Sequence, residues 1–113
     1  MRFVASFVLA LLIGWVAPLA ADATDTVRGG QIFTTNCAAC HAGGGNIIKA
    51  ERTLQEADLK AHLPNYLGAH ESAIVAQVTY GRNAMPAFVD VLSESEIADV
   101  AAYVEEQSSQ GWS

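Results

Sequence analysis

The only two cysteines of the chain lie in the segment Cys37-Ala38-Ala39-Cys40-His41, where a histidine directly follows the second thiol. Two thiols separated by two residues, with an adjacent histidine, form the pattern that attaches a c-type haem. The thiols add across the two vinyl groups of the porphyrin, and the imidazole after Cys40 can bind the iron. The segment therefore predicts one covalently bound haem c per chain, attached at Cys37 and Cys40, with His41 as an axial iron ligand.

Other uses of a Cys-x-x-Cys pair fit this chain less well. A thioredoxin-like redox pair needs a strand–helix–strand context, whereas the apolar periodicity here is helical. A structural zinc site needs two further ligands, and the candidates His62 and His70 are separated by more than the usual three to five residues. A disulfide between the two cysteines would close a loop too short to contribute much stability. Haem attachment is the favoured interpretation.

Met85 is the only methionine beyond the initiator, and it lies in a segment, residues 81–88, that lacks helical periodicity. Because Pro86 restricts Met85 to extended backbone angles, we predict a fixed loop that brings the thioether to the iron as the second axial ligand. The alternatives are that Met85 only fills space in the core, or that His62 or His70 binds the iron instead.

A histidine and a thioether together leave the iron no open position, and the thioether favours the ferrous state. The pair therefore predicts single-electron transfer and not an enzyme. Gln77 precedes Met85 by eight residues. Its amide is predicted either to point at the haem and tune it or to face solvent.

The elements that position these residues are predicted to be helices, and no strand-like alternation persists. Asp25 is a good N-cap for a first helix, and residues 53–56 and 93–96 match the capping-box pattern. A further helix is predicted from about Glu71 to Tyr80, ending at Gly81. Gly29 and Gly30, adjacent within the first helix, predict a close crossing by another helix, because glycine in a helix interior otherwise costs about 1 kcal/mol.

The N-terminus has the order of a secretory signal peptide: Met1-Arg2, an apolar run to Val16, and then small residues. We predict a leader over residues 1–20, with cleavage as late as residue 23, and one domain over residues 21–113. An uncleaved membrane anchor is the alternative, but Gly14 and Pro18 interrupt a run that is short for a membrane span.

The chain is acidic, with a formal net charge of −6 that becomes −7 when residues 1–20, which contain only one charged group, are removed. A chain of this sign lacks a surface that neutralises phosphates, so nucleic acid is excluded as an expected partner. Its charge favours encounters with positively charged protein surfaces.

The sequence resembles the cytochrome c6 family over nearly the whole mature chain. The resemblance rests on residues 29–33, 37–44, 77–79, 83–88 and 98–104, followed by Trp112. It implies an all-α class I cytochrome c fold, with four to five short helices packed around one covalently attached haem. Its first and last helices would cross near Gly29, Phe33 and Tyr103. It also implies that Cys37 and Cys40 hold the haem and that His41 and Met85 bind its iron. Gln77 matches a glutamine of the photosynthetic members, which implies a haem of high redox potential.

The resemblance further implies a soluble, monomeric carrier in the thylakoid lumen that takes electrons from the cytochrome bf complex and delivers them to photosystem I. A carrier that donates to a terminal oxidase, with a periplasmic location, is the first alternative. A haem enzyme or gas sensor with a labile Met85 is the second. The chain departs from the family pattern at Val89-Asp90-Val91, at Tyr80 and at Gly45, which leaves Arg82 as the main basic residue near the presumed docking edge.

Overall fold

The computed structural model describes residues 23–112. The leader predicted for residues 1–20, with cleavage as late as residue 23, falls outside this range except for Ala23. Between residues 23 and 112 the backbone forms helices and no β-strand; an isolated bridge joins Arg82 and Met85. The all-α prediction is confirmed.

Six α-helices follow one another along the described chain. They are α1 (Thr26–Asn36), α2 (Ala38–His41), α3 (Glu56–His62), α4 (Tyr66–Ala69), α5 (Glu71–Tyr80) and α6 (Glu94–Gln110), with one 3₁₀ turn at Ala42–Gly44. Four of the helices are longer than one turn. The other two, α2 and α4, are single turns, which are too short to show a hydrophobic periodicity in the sequence.

Helix α1 begins where its capping residue predicts. The side chain of Asp25 accepts a hydrogen bond from the backbone N–H of Arg28 at 3.0 Å. Gly29 is buried where α6 crosses, and a Cβ at this position would clash with the backbone carbonyl of Asp99 and lie 2.9 Å from Cβ of Tyr103. The close crossing predicted from the glycine pair is therefore confirmed, since no larger residue fits there.

Helix α6 starts with the capping box that residues 93–96 predict. The Ser93 hydroxyl accepts the backbone N–H of Glu96 at 3.2 Å, and the Glu96 carboxylate accepts the N–H of Ser93 at 2.9 Å. Buried Asp99 joins α6 to the start of α1, because its carboxylate accepts the N–H of Asp25 at 2.9 Å and lies 3.3 Å from the guanidinium of Arg28.

The capping box predicted for residues 53–56 is wrong. Helix α3 begins only at Glu56, and no side chain caps it at Gln55. The Thr53 hydroxyl instead accepts the N–H of Gln55 at 3.1 Å and donates to the carboxylate of Asp58, which also accepts the N–H of Thr53. Asp58, and not Glu56, therefore accepts the backbone N–H of Thr53. Helix α3 consequently begins at Glu56, after the predicted start.

The core lies between α1, α3, α5 and α6. Its buried apolar side chains include Ile32, Phe33, Leu59, Ile74, Val78, Ile97, Val100 and Val104. Across residues 23–112, none of the helices combines the length and the apolar character needed to span a bilayer.

Candidate functional site

One cavity of about 270 Å³ opens beside this core, and its walls are mostly apolar. Phe33 and Val100 contribute from the crossing of α1 and α6, while Leu59 and Ile74 contribute from α3 and α5. The structure brings all the sequence-predicted site residues onto the wall of this cavity. They are Cys37, Cys40, His41, Gln77 and Met85.

The two thiols and the imidazole are positioned by a single helical turn. The backbone N–H groups of Cys40 and His41 both donate to the carbonyl of Cys37, at 3.1 and 2.9 Å. This turn directs three functional side chains to one cavity from five consecutive residues. Both cysteines are half-buried, and burial raises the pKa of the Cys37 thiol to about 11, so before haem attachment this thiol is neutral at pH 7.

The ring of His41 is held by a hydrogen bond to the loop that follows. Its Nδ1 lies 2.7 Å from the carbonyl oxygen of Gly45. A carbonyl oxygen can only accept, so Nδ1 carries the proton and Nε2 keeps its lone pair. An imidazole in this tautomer is a neutral metal ligand whose orientation the carbonyl fixes.

The loop that supplies this carbonyl is shaped by its glycines. Gly43 and Gly44 have φ values of 63° and 79°, a region that residues with a Cβ adopt at a cost. A Cβ on Gly44 would also lie 2.5 Å from Cγ of Trp112, whose indole N–H donates to the carbonyl of Leu54 at 2.8 Å. The indole of Trp112 therefore packs directly on the backbone of Gly44, next to Gly45, whose carbonyl holds His41.

Met85 is presented by a tight, hydrogen-bonded loop. The N–H of Arg82 donates to the carbonyl of Met85 and the N–H of Met85 donates to the carbonyl of Arg82, both at 3.0 Å. Gly81, with φ 65°, closes α5 beneath this loop, where a Cβ would lie 2.5 Å from the carbonyl oxygen of Met85 and 2.6 Å from the carbonyl carbon of Pro86. These contacts fix the backbone of Met85 within the loop.

Gln77 faces the cavity and not the solvent. Its Nε2 lies 3.5 Å from Sδ of Met85, within hydrogen-bonding range of the thioether. The sequence left the direction of this amide open, and the packing of α5 against the core decides it.

The remaining histidines lie on the surface. His62 is exposed at the edge of the cavity, whereas His70 does not line it. Nδ1 of His70 lies 2.8 Å from the carboxylate of Glu105, which also accepts the hydroxyl of buried Tyr66 at 2.8 Å. His70 is therefore engaged away from the cavity.

Two basic residues of the cavity lining were not expected. Lys49 and Arg52 line the cavity from a loop that begins at Asn46. The Asn46 side chain holds this loop, because its amide N–H donates to the carbonyl of Arg52 at 2.9 Å and its oxygen accepts the N–H groups of Ile48 and Lys49. Residues 46–55 have no hydrophobic period, so only the asparagine, a common turn former, could have indicated an ordered loop.

These donor atoms fit a haem. The cavity is apolar, as a porphyrin requires, and its wall carries an imidazole nitrogen with a free lone pair, a thioether sulfur and two thiols. A short-helix fold around such a cavity defines a class I c-type cytochrome, a class that binds one haem c covalently and transfers electrons without being an enzyme.

Comparisons with known proteins agree. Residues 24–104 match the family model described as cytochrome c oxidase, cbb3-type, subunit III. The chain is 56% identical to cytochrome c6 of Bumilleriopsis filiformis over 78% of this chain and 98% of that protein. It is 44% identical to cytochrome c6 of Thermosynechococcus vestitus over 98% of this chain and 96% of that protein. The crystal structure of cytochrome c6 from the diatom Phaeodactylum tricornutum superposes with a TM-score of 0.74 at 52% identity, covering 78% of this chain and 99% of that one. The chain belongs to the cytochrome c6 family.

Proposed function

We propose that Cys37 and Cys40 attach the haem through thioether bonds and that His41 and Met85 are its axial iron ligands. The tautomer of His41, set by the carbonyl of Gly45 at 2.7 Å, supports the first ligand. The hydrogen-bonded loop around Met85 and the contact from Gln77 at 3.5 Å support the second. The other two histidines are less well placed, because His70 is engaged by Glu105 away from the cavity and His62 is exposed at the cavity edge.

We further propose that this electron carrier moves single electrons from the cytochrome bf complex to photosystem I. When bound, the haem supplies a one-electron couple whose potential a thioether ligand raises. The observation that supports one-electron transfer is that an imidazole and a thioether line one cavity, and the choice of donor and acceptor rests on the likeness to cytochrome c6. His41 and Met85 would together hold the iron of a bound haem, so that little would need to move between the oxidised and reduced states.

The route by which electrons leave is the exposed rim of the cavity. Ala42 and Gly43 follow the cavity-lining residue His41, and Ala87 follows the lining residue Pro86; Ala42, Gly43, Pro86 and Ala87 are all exposed. These small or apolar residues permit a close, mostly apolar contact with a partner, while charged groups around them set encounter rate and orientation more than affinity.

The leader fits this role. Export of residues 21–113 after removal of residues 1–20 would deliver the domain as a monomer to the thylakoid lumen, the compartment in which both partners present their electron-transfer sites. A periplasmic location would follow if the acceptor were a terminal oxidase.

The test is to mix the reduced holoprotein with flash-oxidised photosystem I and follow re-reduction. We expect a fast phase whose rate rises with the concentration of the carrier. A parallel reaction with a terminal oxidase serves as the comparison. Re-reduction of photosystem I that does not depend on the carrier, together with rapid turnover of the oxidase, would overturn the proposed acceptor.

A further inference from the structure

The indole of Trp112 lies against the loop that holds His41, although the two residues are far apart in the chain. The N–H of Leu54 donates to the carbonyl of Gly44 at 2.7 Å, and the indole N–H donates to the carbonyl of Leu54 at 2.8 Å. The indole ring also packs on Gly44, where a Cβ would collide with it. Trp112, Leu54 and Gly44 therefore form a closed set of contacts that fixes the backbone of Gly44 on two sides.

The loop itself has little with which to hold its shape. Residues 43–45 are all glycine and have no side chains that could pack. Gly43 and Gly44 have positive φ values, and glycine adopts many other backbone angles as readily. The N–H of Gly45 donates to the carbonyl of Ala42 at 3.2 Å, which leaves the Gly45 carbonyl to be directed by contacts from outside the loop.

Trp112 is itself held firmly by the end of α6. Gly111 ends this helix in the left-handed region, with φ 83°, and the N–H of Trp112 then donates to the carbonyl of Gln107 at 2.9 Å. The indole packs against Phe33 and Tyr103, with ring centroids 5.3 and 6.1 Å away. The crossing of α1 and α6 thus determines where the indole meets the loop.

We infer that Trp112 is a positioning residue for His41, acting through Gly44 to keep the carbonyl of Gly45 on Nδ1 of the imidazole. The inference rests on the proposed function, because it takes His41 as an axial iron ligand. A carbonyl that accepts the Nδ1 proton, here at 2.7 Å, makes an imidazole a stronger donor to a metal. A stronger donor favours ferric iron, so Trp112 holds the redox potential below the value that an unsupported loop would give.

The experiment compares holoproteins in which one aromatic side chain is removed. W112L deletes both the packing on Gly44 and the hydrogen bond to Leu54. Y66L is the matched control, because Tyr66 is also an aromatic residue with a side-chain hydrogen bond, to Glu105, but it is buried away from the cavity lining. Two quantities are measured: the redox potential, and the rate at which the Nδ1 proton of His41 exchanges with solvent in the ferrous protein, followed by nuclear magnetic resonance.

We expect W112L to shift the one-electron equilibrium about fivefold toward the ferrous form, which is a rise of about 40 mV. The Nδ1 proton should exchange at least about tenfold faster, because its acceptor is no longer held in place. Y66L should keep the wild-type potential and exchange rate even where it lowers stability. An unchanged potential and exchange rate in W112L would overturn the inference, and so would equal shifts in W112L and Y66L.

Two further outcomes separate the inference from its premise. If W112L does not retain the haem, W112F decides instead, because it keeps a ring over Gly44 and loses only the N–H that Leu54 accepts. We expect W112F to shift the equilibrium in the same direction by about twofold, and a wild-type potential in W112F would then overturn the inference. A wild-type holoprotein whose His41 ring shows no bond to iron would overturn the assigned ligand and the inference together.

Discussion

The side-chain amide of Gln77 lies 3.5 Å from the sulfur of Met85, directed at it across the turn that ends α5. A donor to the thioether withdraws electron density from the sulfur, so with Met85 as the proposed iron ligand it would weaken donation to ferric iron more than to ferrous iron. The same contact also orients the methionine side chain within the cavity.

Replacing this donor should lower the redox potential of the holoprotein. For Q77L we expect a decrease of about 40 mV, which is what one hydrogen bond of about 1 kcal/mol corresponds to in a one-electron couple. An optical redox titration measures it. Gln31, exposed on α1, provides the control variant Q31L, whose potential should equal that of the wild type. An unchanged or higher potential in Q77L would contradict the assigned role of the amide.

Removing the thioether should open the iron to external ligands. We expect ferrous M85A to bind carbon monoxide at neutral pH and to lose the absorption band that arises from sulfur-to-iron coordination. The wild type should not bind carbon monoxide. H62A, at the exposed edge of the cavity, should behave as the wild type does. Carbon monoxide binding by the wild type would favour the sensor alternative, and a ligand change in H62A would point to bis-histidine coordination.

The packing of Trp112 on Gly44 predicts a large cost for a single methyl group. Gly43 and Gly44 both have positive φ, but a Cβ would meet nothing within 4 Å at Gly43 and would collide with the indole at Gly44. We expect G43A to lower the free energy of unfolding by about 1–2 kcal/mol, the cost of the left-handed backbone. G44A should cost about 1–3 kcal/mol more, because it overpacks the contact. Denaturant titration of the two holoproteins measures the difference, and equal stabilities would refute the contact.

The start of α6 predicts a pH-dependent stability. The pKa of Glu96 is lowered from its ordinary value, first by the backbone N–H of Ser93 and then by the Ser93 hydroxyl. A carboxyl group with a lowered folded pKa stabilises the fold above its unfolded pKa, about 4.3, and this contribution is lost as the pH falls through the folded pKa.

We therefore expect E96Q to be less stable than the wild type at pH 7, with the difference shrinking as the pH falls below about 4. E106Q, which removes an exposed carboxylate further along α6, should show no such pattern. Thermal unfolding across pH 3–7 measures both variants. A deficit in E96Q that stays constant over this range would show that the capping carboxylate is not responsible.

The helix ends that depend on one local contact were predictable from the sequence. Asp25 and Ser93 cap α1 and α6 as expected, because a capping hydrogen bond involves residues only two or three positions apart. The glycine pair in α1 was informative for a different reason. Glycine weakens a helix, so a glycine in a helix interior indicates a neighbour that leaves no room for a side chain. At Gly29 that neighbour is the backbone of Asp99.

Spacing alone also predicted that Cys37, Cys40 and His41 share one site, since five consecutive residues on one turn bring the two thiols and the imidazole to the same cavity. Only the tertiary structure decided the rest. Thr53 had two acidic residues within reach and bonded to Asp58 instead of Glu56. The direction of Gln77 and the exposure of Val89 and Val91 depend on how separate segments pack. The carbonyl of Gly45 that orients His41 depends on the positive-φ turn at Gly43 and Gly44. No sequence pattern specifies these choices, because each depends on backbone angles and packing that exist only in the folded chain.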